Sequence, residues 1–202
     1  VLSRLAAALD REARGRTVLM DVCPMLGVLS LSSLFAADGV IIPISTDYLA
    51  MRGAQQMERT LKALEQVLKR RVPRRYLITR YDARRKMSVD IEQQLRERYG
   101  AEVCATRIAE NVSLAESPAC NQDVFEHAPA SRGAQHYADL LQELNGSGFF
   151  NAGSAVVSPA VRAVPSGLRT ALAAERRAAV ERNANAISGL RLVHWRRAGK
   201  DA

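Results

Sequence analysis

Cysteine is scarce in this chain, with three among 202 residues, at positions 23, 104 and 120. An odd and widely spaced trio supports neither a disulfide framework nor a Cys-x-x-Cys metal knuckle. His127, His136 and His194 fall at no ligand spacing with it. A reduced compartment is the expectation. Aromatic residues make up 5 % of the chain, with a single Trp. No apolar run approaches the roughly 18–20 residues that span a bilayer, so no membrane span is expected. Residues 1–15 interleave Leu and Ala with Arg4, Asp10, Arg11, Glu12 and Arg14. That mixture reads as an amphipathic helix rather than a secretory leader. The first residue is Val rather than Met, and a natural start is not expected there. Also missing is any Gly-x-x-x-x-Gly-Lys-Ser/Thr run, the loop whose backbone N–H groups and lysine cradle phosphates.

What is present is ordinary globular composition, 48 % hydrophobic and 25 % charged, with a net charge of +8. The positive excess is uneven. Nine of the 29 Lys and Arg, but only three of the 21 Asp and Glu, lie from Asn151 onward. A basic tail of this kind suits nucleic acid or an anionic surface, and charge alone does not choose between them.

Between residues 17 and 145, short apolar runs alternate with amphipathic helical stretches, the pattern of parallel βα units. Expected strands are Thr17–Asp21, Gly39–Ile44, Tyr76–Thr79 and Glu102–Ile108. Pro43, which has no N–H to donate, is placed at the end of its strand. Ala54, Met57, Leu61, Leu64 and Leu68 mark one face of a helix over about 53–70. Ser88 is the expected N-cap of a helix that stops at Gly100, and Ser131 opens a last helix through Leu144. After residue 145 the composition turns to Gly, Ser, Pro, Ala and Val, as in a linker. Residues 168–186 have helical character but little apolar surface. The expected organisation is therefore 1–145 as an α/β domain with a mostly parallel sheet flanked by helices. Residues 146–202 follow as a linker and basic tail, partly helical or disordered.

In such a sheet, ligands gather beyond the carboxyl ends of the strands. Asp21 ends the first strand and is followed by a tight loop containing Pro24 and Gly27. A carboxylate there serves either as a turn or cap residue or as a holder of magnesium-bound water. The order Val18-Leu-Met-Asp21, Pro24, Leu26-Gly27, then Ala36-Ala-Asp-Gly-Val-Ile-Ile-Pro43 resembles the ParA family of partition ATPases. Leu77-Ile-Thr-Arg-Tyr-Asp-Ala-Arg84 continues the likeness, as do Asn111-Val-Ser-Leu-Ala-Glu-Ser-Pro118 and Ser131-Arg-Gly-Ala134 with Tyr137. Five segments in family order cover roughly residues 1–145.

The resemblance implies a P-loop NTPase-like fold, here incomplete. It also implies ATP and magnesium as cofactors, a homodimer, non-specific DNA and a ParB-like centromere-binding protein as partners, and a cytoplasmic, nucleoid-associated location in a bacterium. By resemblance, Asp21 is the catalytic carboxylate that organises magnesium and water, and Pro24 to Gly27 form the nucleotide-responsive switch. Thr79, Asp82 and Asn111 lie near the base, and Arg132 faces DNA. Arg84, Arg85 and Lys86 form a basic loop that is either simply solvated or in contact with DNA phosphates.

The departures from the family matter as much. The family's Lys-Gly-Gly-x-Gly-Lys-Thr loop belongs well upstream of Asp21 and is not in this sequence, so ATP hydrolysis by these residues alone is not expected. The strand at the middle of the family's sheet belongs to the same missing segment, which would leave its neighbours with open edges. Cys23 replaces a proline, and Ala109 and Glu110 replace a proline and an arginine. Asn121 stands where the family has Gly, at a turn that Asn can still form. Two functions remain open: a partition ATPase of plasmid or chromosome seen in part, and a non-catalytic DNA- or partner-binding relative or degraded remnant.

Overall fold

The structure, a computed structural model, describes residues 2–13, 17–22, 27–150 and 192–197. The expected helix over 168–186 lies outside them. An amphipathic helix α1 (Leu2–Ala13) leads into β1 (Thr17–Val22). Then α2 (Val28–Ala36), β2 (Gly39–Ser45), α3 (Tyr48–Leu68), β3 (Arg74–Tyr81), α4 (Lys86–Tyr99) and β4 (Val103–Ala109) alternate as βα units. Two short helices, α5 (Val112–Glu116) and α6 (Val124–His127), precede α7 (Arg132–Gly146). A last strand, β5 (Leu192–Arg197), comes from the basic tail.

The strand order is β1-β5-β2-β3-β4. β2, β3 and β4 pair in parallel, as a βα alternation requires. β5 is antiparallel to both of its neighbours, so β1 runs in the same direction as β2. The facing edges of β1 and β2 are thus paired with β5. Pro43 is not the end of its strand either. β2 runs on to Ser45, with Pro43 opposite Leu77, while the β5 ladder reaches β2 only over Gly39–Ile41. The missing N–H therefore breaks none of those described pairs.

Each helix has a local cause. Asp47 caps α3, its carboxylate accepting from the Ala50 N–H at 2.8 Å. Ser131 caps α7, as its sequence position predicts. Ser88 does not cap α4. The helix starts two residues earlier, after Arg85, and Ser88 is fully buried within it. Gly100 ends α4 with φ +51°, a conformation that costs glycine little. Asn121 takes the left-handed turn at φ 58°, as its small polar side chain permits.

The sheet separates two cores. On one face Leu34, Val40, Ile42, Ile44, Leu61, Leu64, Ile78 and Leu95 join α2, α3 and α4 to β2 and β3. On the other, Ile41, Leu77, Cys104, Ile108, Leu140, Leu144 and Phe149 seat α7. Burial pushes the Cys104 thiol up to about 12, as befits a core residue rather than a reactive one. The outer edge of β4 is closed by a side chain of α7: the Glu143 carboxylate accepts from the Ala105 and Thr106 N–H groups, each at 2.7 Å. That carboxylate takes up donors that would otherwise invite strand pairing. Among the described residues, no helix is long and apolar enough to cross a membrane.

Candidate functional site

Because β1 to β4 share one direction, their carboxyl ends meet along a single edge of the sheet. Asp21 lies at that edge, exposed, one residue before β1 ends. Pro24 lies outside the described residues. Gly27 caps α2 in an extended conformation, φ −101° and ψ 174°, open to any residue.

Beyond β2 and β3 the edge is tied together by hydroxyls. Ser45 donates to the Asp47 carboxylate. The Thr46 hydroxyl donates to the Arg80 carbonyl at 3.0 Å and receives the buried Ser88 hydroxyl at 3.0 Å. Arg80 has φ 52°, a strained value for a residue with a Cβ, and strain of this kind collects at functional sites. Thr79, half-buried, ends the β2–β3 ladder opposite Ser45. Its neighbour Asp82 is clamped by arginine: Arg84 Nε and a terminal nitrogen each lie 3.0 Å from a carboxylate oxygen, the Arg84 N–H also donates at 3.0 Å, and Arg85 approaches at 3.5 Å. The Arg84 hydrogen bonds, more than any other influence, hold the Asp82 carboxyl down at about 2. Asp82 therefore pairs with two members of the basic loop and offsets one of their two charges, while Arg84 and Arg85 keep their side chains largely in solvent. Lys86, also exposed, opens α4.

The β4 end joins the same neighbourhood. Glu110 donates its N–H to the Tyr81 carbonyl at 3.0 Å, and its carboxylate accepts from Arg80 at 3.1 Å. Asn111 is the N-cap of α5, its side-chain oxygen accepting from the Leu114 N–H at 3.3 Å. Arg132 is exposed at the start of α7. The next residue, Gly133, is buried against Leu114, where a Cβ would come within 2.7 Å of Leu114 Cγ. The loop carrying Asn111 and the helix start carrying Arg132 are thus packed together.

The structure brings Asp82, Arg84 and Arg85 into one cluster. It links Asn111 to that cluster through Glu110 and Arg80, and places Arg132 beside the Asn111 loop. The Ser45, Thr46 and Asp47 group was missed by sequence reasoning, although Ser-Thr-Asp directly ahead of a long amphipathic helix is a recognisable capping signal.

Asp47 is committed to its helix and Asp82 to its arginines. No glycine-lysine loop in this sequence offers N–H groups or an ammonium to a triphosphate. Among the described residues, no group of three or more His, Cys, Asp or Glu is arranged to hold a metal ion. The edge presents instead exposed cations beside backbone polar groups, a surface suited to phosphate oxygens.

A family model described as an AAA domain matches residues 12–73, from α1 to the loop before β3. The chromosome-partitioning ATPase Soj of Thermus thermophilus is 38 % identical over 128 residues, covering 63 % of this chain and 51 % of that protein. Over these residues the chain is similar to a ParA-type partition ATPase. The sporulation initiation inhibitor protein Soj of Bacillus subtilis is 30 % identical over 132 residues, covering 65 % of this chain and 52 % of its own length. The chromosome partitioning protein ParA of Caulobacter vibrioides is 30 % identical over 128 residues, covering 63 % and 48 %. The chain thus spans about half the length of the curated relatives it matches. The ParA relation and the α/β architecture agree with the expectations from sequence.

Proposed function

We propose that this ParA-like chain takes part in ATP-dependent segregation of bacterial DNA, supplying the carboxyl edge of a partition ATPase. The observation that carries this proposal is the convergence of family-like segments on one edge. Asp21 lies one residue before the end of β1, Thr79 to Asp82 run through the end of β3, and Asn111 follows Glu110, whose N–H donates to the Tyr81 carbonyl. In this scheme Asp21 organises magnesium and the attacking water, and the Pro24–Gly27 loop follows the state of the nucleotide. Thr79, Asp82 and Asn111 border the base. Arg84, Arg85, Lys86 and Arg132 meet DNA phosphates. A second copy and a ParB-like centromere-binding protein complete the cycle, on the nucleoid in the cytoplasm.

Phosphoryl transfer rests on positioning and charge stabilisation around the phosphates. A glycine-lysine loop does most of that work, and these 202 residues do not contain one. The chain by itself is therefore expected to release no phosphate from ATP with magnesium and DNA. Phosphate release above a protein-free blank would overturn that part of the proposal.

A second function, a non-catalytic DNA binder, is favoured by the exposed Arg84, Arg85 and Lys86. Fluorescence anisotropy with a duplex of mixed sequence, titrated with salt, measures DNA binding directly. Binding without nucleotide favours the second function. Binding that requires ATP and a separately supplied amino-terminal segment favours the first.

A further inference from the structure

α3 sorts its charges by sign. Its two acids serve protein partners. Glu58 accepts from Arg98 of α4 at 2.8 and 3.0 Å and from Lys62 at 2.6 Å. Glu65 takes the Val72 N–H at 2.8 Å and the buried Arg74 guanidinium. From Arg52 to the C-cap, the exposed positions are Arg52, Arg59, Lys62, Gln66 and Lys69, with no acid among them. At 3.6 residues per turn, Arg52, Arg59 and Gln66 fall on one line along the helix, with Lys62 beside it. From Arg52 to Lys69 the stripe is about 25 Å long at 1.5 Å per residue.

An ordinary solvated face does not account for this pattern. Such faces are laced with acid–base pairs three or four residues apart. At those spacings Arg52 and Arg59 have only Tyr, Leu, Gln, Ala and Lys. Among the described residues, Arg52, Arg59 and Lys69 enter no ion pair. The helix dipole favours cations in the last turn, which suits Lys69 but not the two arginines. Lys69 itself stands at φ 53°, a left-handed C-cap that glycine fills at least cost. At the carboxyl edge, by contrast, Arg80 is paired with Glu110, and Arg84 and Arg85 with Asp82.

We propose that the outer face of α3 is a second contact surface for the DNA backbone, carried by Arg52, Arg59 and Lys69. A duplex presents one negative charge per about 1.7 Å of its axis, so a straight row of cations finds phosphates along its length. Arginine, lysine and glutamine all donate to phosphate oxygens and ask for no base sequence. From Arg52 onward the stripe exposes no aromatic or aliphatic side chain with which to enter a lipid surface. α3 runs from the carboxyl edge, after Asp47, to the opposite end of the sheet, where β3 begins at Arg74. DNA lying along it would extend down the side of the molecule. DNA as the partner is taken from the proposed function; the carboxyl edge as its docking place is not.

The test is fluorescence anisotropy of a mixed-sequence duplex with the full chain, titrated with salt. The triple variant Arg52→Gln, Arg59→Gln, Lys69→Gln keeps side chains that suit a helix. It should bind about tenfold more weakly at low salt, and its log–log salt slope should fall by about 2 to 3. Arg52→Lys, Arg59→Lys should keep the slope. Adding Gln93→Lys, Gln94→Lys and Gln142→Lys to the triple variant restores its net charge at exposed positions of α4 and α7, and binding should stay weak. Full recovery there would show that net charge alone drives binding, and would overturn the proposal. An unchanged slope in the triple variant would overturn it too, as would a loss of binding confined to phosphatidylserine vesicles. Alanine at Arg84, Arg85 and Lys86 separates the two docking places. A slope that falls only in that loop variant refutes the α3 surface, and one that falls only in the triple variant supports it against the edge. No binding by the unaltered chain would refute DNA as the partner of either.

Discussion

Arg84 grips Asp82 through two side-chain hydrogen bonds of 3.0 Å each, so the most exposed cation of the β3–α4 loop is tethered to a carboxylate two residues away. Arg85 leans on the same carboxylate at 3.5 Å. If this loop meets DNA, Asp82 competes with phosphate for both guanidinium groups. Asp82→Ala should therefore strengthen DNA binding and steepen its salt dependence, by about 0.9 in log–log slope for each arginine that reaches a phosphate. Replacing Arg84, Arg85 and Lys86 together by Ala should flatten the slope. Unchanged slopes in both variants would remove the loop from the DNA interface.

Glu143 links α7 to the edge of β4, and its ionisation is expected to make that link sensitive to acid. Burial opposes its charge, but the hydrogen bonds from Thr106 and Ala105, with Arg75 nearby, outweigh it and hold the carboxyl below its ordinary value. A carboxyl depressed in the folded state contributes stability above its unfolded pKa and loses it as pH falls through the folded value. The stability gap between the unaltered chain and Glu143→Gln should therefore narrow as pH drops from about 6 to about 3. Glu143→Ala should cost about 1–2 kcal/mol at neutral pH in urea unfolding. A gap that widens with acid would contradict the assignment.

The rings of Tyr76 and Tyr99 stack with centroids 3.9 Å apart. The Tyr76 hydroxyl is buried without a hydrogen-bond partner among the described residues, and burial raises its pKa well above the ordinary phenol value. A buried unsatisfied hydroxyl costs free energy that a hydrogen atom in its place would not. Tyr76→Phe is expected to keep the stack and gain on the order of 1 kcal/mol, read as a higher melting temperature. A clear loss of stability would reveal a partner for that hydroxyl.

These side chains also show why some of the molecule was legible in its sequence and some was not. β2, β3 and α3 announce themselves, because an aliphatic run and a three-four repeat are one-dimensional records of burial. α2 carries no such record. Its Ser30, Ser32 and Ser33 are buried like Leu31, Leu34 and Phe35, while Val28 and Leu29 are exposed, so the helix shows no polar face. Ser32 and Ser33 stay there by donating to the Val28 and Leu29 carbonyls, at 2.6 and 3.1 Å, a local satisfaction that leaves no periodic trace. β5 was invisible for a different reason. Its place is set by a gap between distant strands, and a six-residue basic segment gives no sign of pairing with residues more than 150 positions earlier. Asp21 and Asn111 stand out in the sequence through their place in segments that resemble the ParA family. The clamp on Asp82 could not, since a sequence shows Arg84 and Arg85 as free charge until the loop folds them back.

Gly133 tests whether the two ends of the proposed DNA-facing edge are mechanically joined. It is buried at the start of α7, with Leu114 Cγ 2.7 Å from where a Cβ would stand. Leu114 belongs to the short helix capped by Asn111, so an added methyl must push that helix and its cap away from Arg132. Gly133→Ala should destabilise by about 1–3 kcal/mol, the usual cost of overpacking, even though alanine is the better helix former. Shortening the neighbour in the Gly133→Ala, Leu114→Ala double variant should recover part of that loss, because the two changes act on one contact and cannot add. Urea unfolding of the four chains in the cycle gives the coupling directly. Strict additivity would mean that α7 and the Asn111 loop move independently, and Arg132 would then have no fixed relation to the rest of the edge.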